Sequence, residues 1–177
     1  MKRKFALFYL LVTSLCFAAC AFILFHALGY RVNRSASLPF LIYKIAPLEE
    51  NTGIKRGDCV LIDLLRLSNP VISRGIERGY VSGAFNQPML KRIGAVPGDR
   101  VELLDGFLAV NSEAINKTKI IVASHDSYGG ELSAWATPLT LQAGEYWLVS
   151  DPERGFDSRY FGPVNESAFT HRARPVF

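Results

Sequence analysis

The stretch PMLKRIGAVPGDRVELLDGFLAVNS, from Pro88 to Ser112, determines the fold class of this chain. Its first part, Pro88–Val96, has the composition of a strand and is closed by the turn-forming pair Pro97-Gly98. In the second part, two apolar runs flank Asp105-Gly106, which is a favoured two-residue hairpin turn. Three short strands therefore follow one another, and the stretch predicts antiparallel β-structure.

Shorter segments on either side extend this pattern. Gly57–Leu64 and Gly144–Asp151 each predict a strand, because a compact apolar run stands between turn residues. Thr118–Gly130 is polar and contains glycine, so it predicts a loop. The chain is therefore expected to be mainly β and built from short strands and turns.

One segment, Ser68–Tyr80, predicts a short helix. Asn69 can cap its first turn, Pro70 suits the first helical position, and Gly79 suits its end.

The N-terminus carries a long apolar run without a charge, Phe5–Phe25. A membrane-spanning helix needs about 20 such residues, whereas the apolar core of a cleaved signal peptide is usually about 7–15 residues long. The run therefore favours a retained anchor, although small residues near its end leave a cleaved signal peptide open. The basic residues Lys2–Lys4 precede the run and are expected to stay in the cytoplasm. We predict an anchor with a cytoplasmic tip over residues 1–29 and an exported domain over residues 30–177.

Composition excludes some other functions. The chain has 177 residues, 49% of them hydrophobic, which suffices for one domain with a core. Its formal net charge of +4 is concentrated at the N-terminus and gives no basic face for nucleic acid. Cys16 and Cys20 lie in the apolar run, where packing is their expected role. Cys59 has no cysteine partner in the exported part, and no cysteine or histidine spacing predicts a metal site.

A conventional serine-histidine-aspartate triad has little support. It requires a histidine beside the serine. The three histidines, His26, His125 and His171, stand in no recognisable motif.

Lysine can replace histidine as the base if its amine is neutral. Burial among apolar groups disfavours the ammonium form and lowers its pKa. Lys91 stands between apolar neighbours in the predicted strand Pro88–Val96. Because strand side chains alternate, Lys91 and Arg92 should point to opposite faces, and only the lysine can lose its proton. A solvent-exposed basic pair is the alternative.

The segment that follows the anchor offers a nucleophile. Pro39 fixes its own backbone and restricts Leu38, so the Ser37 hydroxyl can be held in one direction. If this segment is extended, Ser35 lies on the same face and could help bind an oxyanion. A serine-containing juxtamembrane linker is the alternative.

A third stretch, SDPERGFDSRYFGPV, runs from Ser150 to Val164. It begins at the end of the strand predicted over Gly144–Asp151. Asp157 and Arg159 are two residues apart and could pair on one face. A surface turn is the alternative.

These features together resemble a known family. After the anchor come SASLPFLIYKI (Ser35–Ile45), LKRIGAVPGD (Leu90–Asp99) and FDSRYFGPV (Phe156–Val164). In this order and spacing the chain resembles the membrane-anchored signal peptidases that use a serine/lysine dyad. SLP, in place of a Ser-Met-Pro type of motif, and FDSRYFGPV favour the TraF-type conjugative-transfer branch, which matures pilin precursors. The resemblance implies a signal-peptidase-like antiparallel β-sheet domain after one N-terminal transmembrane helix, without a cofactor or metal.

The resemblance also implies roles for individual residues. Ser37 matches the nucleophile and Lys91 the general base. Ser35 matches a hydroxyl that lines the oxyanion hole together with the backbone N–H of Ser37. Asp157 and Arg159 match a polar pair that supports the lysine strand.

Two further implications concern the surroundings of the lysine. Arg92 matches a structural arginine beside the base. Many relatives carry a small hydroxyl residue two positions before Asp157, bonded to the lysine, but this chain has Gly155 there. The lysine is therefore expected to be oriented by water or by Ser158.

The expected function is removal of a leader or propeptide from an exported precursor, with a conjugative pilin as the expected substrate. The implied location is the bacterial inner membrane, with the catalytic domain in the periplasm. Expected partners are membrane lipid, the precursor and the pilus assembly machinery. A general type I signal peptidase is the nearest alternative. A LexA-like self-cleaving regulator and a non-enzymatic assembly subunit are more distant ones.

Overall fold

The chain begins with one long helix and continues as two antiparallel β-sheets. The computed structural model describes residues 2–33, 37–48, 53–79, 81, 88–115 and 119–176. The helices are α1 (Lys2–Ala27), α2 (Pro70–Glu77) and α3 (Ser158–Phe161). The strands are β1 (Tyr30–Val32), β2 (Ile42–Pro47), β3 (Cys59–Ile62), β4 (Met89–Ala95), β5 (Arg100–Leu104), β6 (Phe107–Val110), β7 (Glu113–Ala114), β8 (Leu139–Thr140), β9 (Glu145–Val149), β10 (Val164–Asn165) and β11 (Phe169–Pro175).

The local predictions for the first quoted stretch are confirmed. Strands β4, β5 and β6 occupy it, and β5 pairs with β6 as an antiparallel hairpin. Asp105 and Gly106 both have positive φ angles, 51° and 83°, as a tight hairpin turn requires. The mainly β fold class is therefore correct.

The short helix is also confirmed. Asn69 caps α2 by accepting hydrogen bonds from the backbone N–H groups of Val71 and Ile72, and Pro70 is its first residue. The loop predicted over Thr118–Gly130 also lacks strands. In its described part, residues 119–130, the only β-pairing is that of His125, which forms an isolated bridge with Glu131. Its first residue, Thr118, lies outside the described residues.

The helix α1 contains the predicted anchor. Its segment Phe5–Ala27 is long and apolar enough to cross a membrane, with a mean hydropathy of 2.4. Strand β1 starts directly after the helix, at Tyr30. Gly29 turns the chain with a φ of +83°, and a side chain there would lie 2.7 Å from the carbonyl oxygen of Ile45. The apolar helix is therefore joined to the sheet by a tight turn.

The larger sheet has the strand order β1-β2-β11-β3-β4-β9-β10, and the smaller one β7-β6-β5-β8. Successive side chains of strand β9 point to opposite faces of the sheet, so the strand contributes to two apolar cores. Tyr146 and Leu148 belong to the core that also contains Val60 of β3, whereas Trp147 and Val149 pack in the core of the smaller sheet. A side chain at the next position, 150, therefore falls on the same face as Leu148.

Candidate active site

Lys91 lies in the interior of the larger sheet. It stands opposite Val60 of β3, and its side chain is only 2% exposed. Ile93, two residues further along β4, belongs to the same apolar core as Val60. Burial lowers the pKa of Lys91 to about 8; the nearby Asp157 opposes this shift and Arg159 adds to it.

Arg92 points away from Lys91, as the alternation of strand side chains predicts. It stands opposite Cys59 of β3 and Val149 of β9. Its guanidinium group donates a hydrogen bond to the carboxylate of Asp151, and both side chains are partly exposed. Arg92 therefore links β4 to the residue that follows the end of β9, on the face of the sheet opposite to Lys91.

Ser37 is carried by the connection between β1 and β2. Strands β1 and β2 are antiparallel neighbours, and Val32 pairs with Ile42. The part around Ser37 is a turn, not the extended strand considered from the sequence. The backbone N–H of Asp151 donates to the carbonyl of Ser37 at 2.9 Å. Ser35 lies outside the described residues.

The turn is also held from inside. The Asn33 amide donates to the carbonyl oxygens of Leu38 and Phe40, at 3.1 Å each. Leu38 is buried, whereas Phe40 stays exposed. These bonds fix the backbone on both sides of Pro39 and limit the directions available to the Ser37 hydroxyl.

Two serine hydroxyls contact the lysine amine. The distance from Lys91 Nζ to Ser37 Oγ is 3.3 Å, and the distance to Ser150 Oγ is 2.6 Å. Ser150 follows β9 directly, one position beyond the pair Arg92–Val149. Continuing this antiparallel register places residue 150 opposite Lys91.

Of the two partners expected to orient the lysine, water and Ser158, the structure contradicts Ser158. The Ser158 hydroxyl accepts a hydrogen bond from the backbone N–H of Leu148 at 2.9 Å, and it thereby fixes the start of α3 against β9. Ser150 makes the contact instead. The sequence contained a usable signal for it, since Ser150 directly follows the apolar residues of the predicted strand Gly144–Asp151, but only the register between β4 and β9 identifies its partner.

Asp157 and Arg159 form a buried ion pair, as the sequence predicted. Arg159 donates from Nε and Nη2 to the two carboxylate oxygens of Asp157, at 2.8 Å each. The same carboxylate accepts a hydrogen bond from the backbone N–H of Ser150 at 2.9 Å. The pair therefore holds the end of β9, where Ser150 meets Lys91.

The loop between β7 and β8 covers this ion pair. The backbone N–H of Ile121 donates to the carbonyl of Glu153 at 2.9 Å, and that of Trp135 donates to the carbonyl of Arg159 at 2.6 Å. The guanidinium group of Arg159 also donates to the Glu153 carbonyl. These bonds pack the loop against the Asp157–Arg159 pair, whose side chains are almost fully buried.

A cavity of about 620 Å³ lies beside these residues. Its wall includes Leu38 and Pro39, which follow Ser37, and Ser150, which contacts Lys91. Much of the remaining wall is apolar, with Phe40 and Trp147 among its side chains. The volume is in the range of known ligand pockets and can hold short peptide side chains.

Other groups in or near the cavity lack the properties of a nucleophile or metal ligand set. Burial raises the pKa of the Cys59 thiol to about 11, so the thiol stays protonated at neutral pH. Within residues 2–33, 37–48, 53–79, 81, 88–115 and 119–176, no three His, Cys, Asp or Glu side chains are grouped as a metal site.

Known proteins are similar to this sequence over most of its length. The profile of the family described as "Signal peptidase, peptidase S26" matches residues 2–177. The plasmid transfer protein TraF of Escherichia coli is 33% identical over 154 residues, which cover 84% of this chain and 82% of that protein. Signal peptidase I V of Bacillus subtilis is 24% identical over 134 residues, covering 72% and 79% respectively. A crystal structure of a signal peptidase I from Enterococcus faecalis has a TM-score of 0.41 and 22% identity, covering 67% of this chain and 94% of that one.

Proposed function

This chain belongs to the signal peptidase family S26, and from this premise we propose that it is a serine endopeptidase in which Ser37 is the nucleophile and Lys91 the general base. The contact between Lys91 Nζ and Ser37 Oγ, 3.3 Å long and located in an apolar interior, carries the proposal. An amine with a pKa of about 8 is neutral in part at neutral pH and can accept a proton from a hydroxyl within hydrogen-bond reach.

The proposed reaction is hydrolysis of a peptide bond in two stages. Lys91 takes the proton of the Ser37 hydroxyl while Oγ bonds to the scissile carbonyl carbon. The resulting ammonium then gives this proton to the leaving amine as the C–N bond breaks. In the second stage Lys91 takes a proton from water, the hydroxide attacks the acyl carbon, and Ser37 leaves with the proton returned to its oxygen.

Negative charge develops on the carbonyl oxygen in both stages. We assign its stabilisation to the backbone N–H of Ser37 and to the hydroxyl of Ser35, as the family resemblance implies. Asp157 and Arg159 do not touch the reacting atoms in this scheme; they hold the strand end that carries Ser150.

The anchor gives the reaction its place in the cell. We propose that α1 crosses the bacterial inner membrane with residues 2–4 in the cytoplasm and the domain in the periplasm. The tight turn at Gly29 and the exposed apolar side chains of Phe40 and Leu41 support a site held against lipid. A precursor that is itself anchored presents its cleavage site at the same surface.

We propose that the substrate is a conjugative pilin precursor and that the enzyme works beside the pilus assembly machinery. The relative named plasmid transfer protein TraF supports this branch over general secretion.

The test uses the purified full chain in detergent with two purified precursors, one of a conjugative pilin and one of an ordinary secreted protein. Cleavage is followed by mass spectrometry, and kcat/KM should be higher for the pilin precursor. A higher value for the secreted precursor would instead favour a general type I signal peptidase.

The rate should rise with pH through an acid limb near pH 8. Only neutral Lys91 can accept the Ser37 proton, and with a pKa of about 8 about a tenth of the lysine is neutral at pH 7. We expect kcat/KM, measured between about pH 6 and 9.5 on an internally quenched peptide, to increase about tenfold from pH 7 to its plateau. A profile that is flat across this range would rule out Lys91 as the base.

A further inference from the structure

The neutral lysine of the proposed mechanism must present its lone pair to Ser37, and something must hold it in that orientation. A neutral amine has two N–H groups and one lone pair. Lys91 Nζ donates to Ser150 Oγ at 2.6 Å, which is shorter than its 3.3 Å contact with Ser37 Oγ. With one N–H directed at Ser150, the lone pair is free to accept the Ser37 proton.

The residue Ser150 is itself firmly placed. Its backbone N–H donates to the buried carboxylate of Asp157, and the side chain is 7% exposed. The next residue, Asp151, donates its backbone N–H to the carbonyl of Ser37 at 2.9 Å. Two consecutive residues at the end of β9 thus hold both proposed catalytic groups at once.

The space for this hydroxyl exists because residue 155 is glycine. A Cβ atom on Gly155 would lie 2.4 Å from the Cβ of Ser150 and 2.9 Å from its Oγ. Real Cβ atoms do not approach other atoms so closely, so a side chain at 155 would displace the serine. A side chain at 155 also points towards the position that the Ser150 hydroxyl occupies.

We propose that Ser150 is the positioning residue for Lys91, and that positions 150 and 155 are alternative, mutually exclusive sources of one hydroxyl beside the lysine. The inference rests on the proposed function, because it assigns Ser150 a role in the reaction of Ser37 and Lys91. It also explains how the lysine keeps a hydroxyl partner, Ser150, although residue 155 is glycine.

The first test removes the hydroxyl. In the full chain, Ser150→Ala should lower kcat for the quenched peptide roughly 10- to 100-fold with little change in KM, because the amine is no longer aligned. The acid limb of the pH profile should also move to lower pH, since a hydroxyl that accepts from the ammonium favours the charged form. A merely structural role would not move this limb. Ser73→Ala, at an exposed position of α2, is the matched control and should change neither quantity.

The second test moves the hydroxyl. Gly155→Ser alone should lose activity through the collision with Ser150, and Ser150→Gly alone should resemble Ser150→Ala. The double variant Ser150→Gly/Gly155→Ser should recover activity to at least tenfold above both single variants. Circular dichroism of each variant reports folding. If Gly155→Ser is unfolded while the double variant is folded and active, the result supports the proposal that side chains at positions 150 and 155 exclude each other.

The outcomes separate this inference from the proposed function. If Ser37→Ala still cleaves the peptide, the proposed function fails. If Ser37→Ala is inactive but Ser150→Ala keeps the kcat and pH profile of the unaltered chain, only the role of Ser150 is overturned. A folded double variant no better than its single variants overturns the exchange between positions 150 and 155.

Discussion

Replacing Ser37 by alanine is expected to lower kcat/KM for precursor cleavage by at least about 10³-fold, because the attacking oxygen is removed and Lys91 has nothing to deprotonate. The fold should be largely unaffected, since the 2.9 Å bond from the backbone N–H of Asp151 to the carbonyl of Ser37 remains and only the 3.3 Å contact of the hydroxyl with Lys91 is lost. The measurement is single-turnover cleavage of the purified precursor, with circular dichroism as the check on folding. Accumulation of uncleaved precursor in membranes that contain the variant is the corresponding observation in cells.

Removing the proposed base, Lys91, is expected to lower activity and to raise stability. Lys91→Met should lower kcat by about 10²–10⁴-fold and yet raise the free energy of unfolding at pH 7, because an apolar side chain replaces a buried ammonium. The pKa of Lys91 in the folded chain, about 8, is below the value of 10.5 for the free amine. The cost of the buried charge is therefore full below about pH 8 and vanishes as the pH rises to about 10.5.

A loss of activity without a loss of stability distinguishes a catalytic lysine from a structural one. Lys55→Met, on an exposed lysine, is the control and should leave both quantities near those of the unaltered chain. The assignment of Lys91 would be contradicted if Lys91→Met cleaved precursor normally, or if it were destabilised at pH 7.

Local chemistry made part of the fold predictable. The hairpin at Asp105-Gly106 and the cap at Asn69 depend on residues only a few positions apart, so the sequence displays their causes directly. The anchor is equally local, because a long apolar run needs no partner strand to be identified. The opposed directions of Lys91 and Arg92 follow from strand alternation alone.

The contacts around the lysine depend on pairing between distant strands. Ser150 meets Lys91 because β4 and β9 are antiparallel in one particular register, and a shift of one residue would turn Ser150 to the other face. No short stretch of sequence fixes that register. The hydroxyl of Ser158 likewise has its partner on another element, the backbone N–H of Leu148 in β9, and not on the lysine. The resemblance predicted a set of site residues, and the tertiary structure shows which of their atoms meet.

The largest loss of stability is expected from Asp157→Ala. The carboxylate of Asp157 accepts hydrogen bonds from the backbone N–H of Ser150 and from the backbone and guanidinium groups of Arg159, and both side chains of the ion pair are almost fully buried. Its removal leaves the charge of Arg159 buried without a counter-ion, which costs about 3–5 kcal/mol. Denaturant unfolding of the full chain in detergent, followed by tryptophan fluorescence to which the buried Trp147 contributes, measures this loss.

Two comparisons show whether the buried charge is the cause. Asp151→Ala breaks an aspartate–arginine pair that is partly exposed, and it should cost only about 0–1 kcal/mol. The double variant Asp157→Ala/Arg159→Ala removes the stranded charge together with its partner, so it should be less destabilised than Asp157→Ala alone. An Asp157→Ala variant within about 1 kcal/mol of the unaltered chain would mean that water reaches Arg159 and that the pair does not hold the end of β9. Ser150 would then depend on other contacts to stay beside Lys91, and the geometry of the proposed site would need a different support.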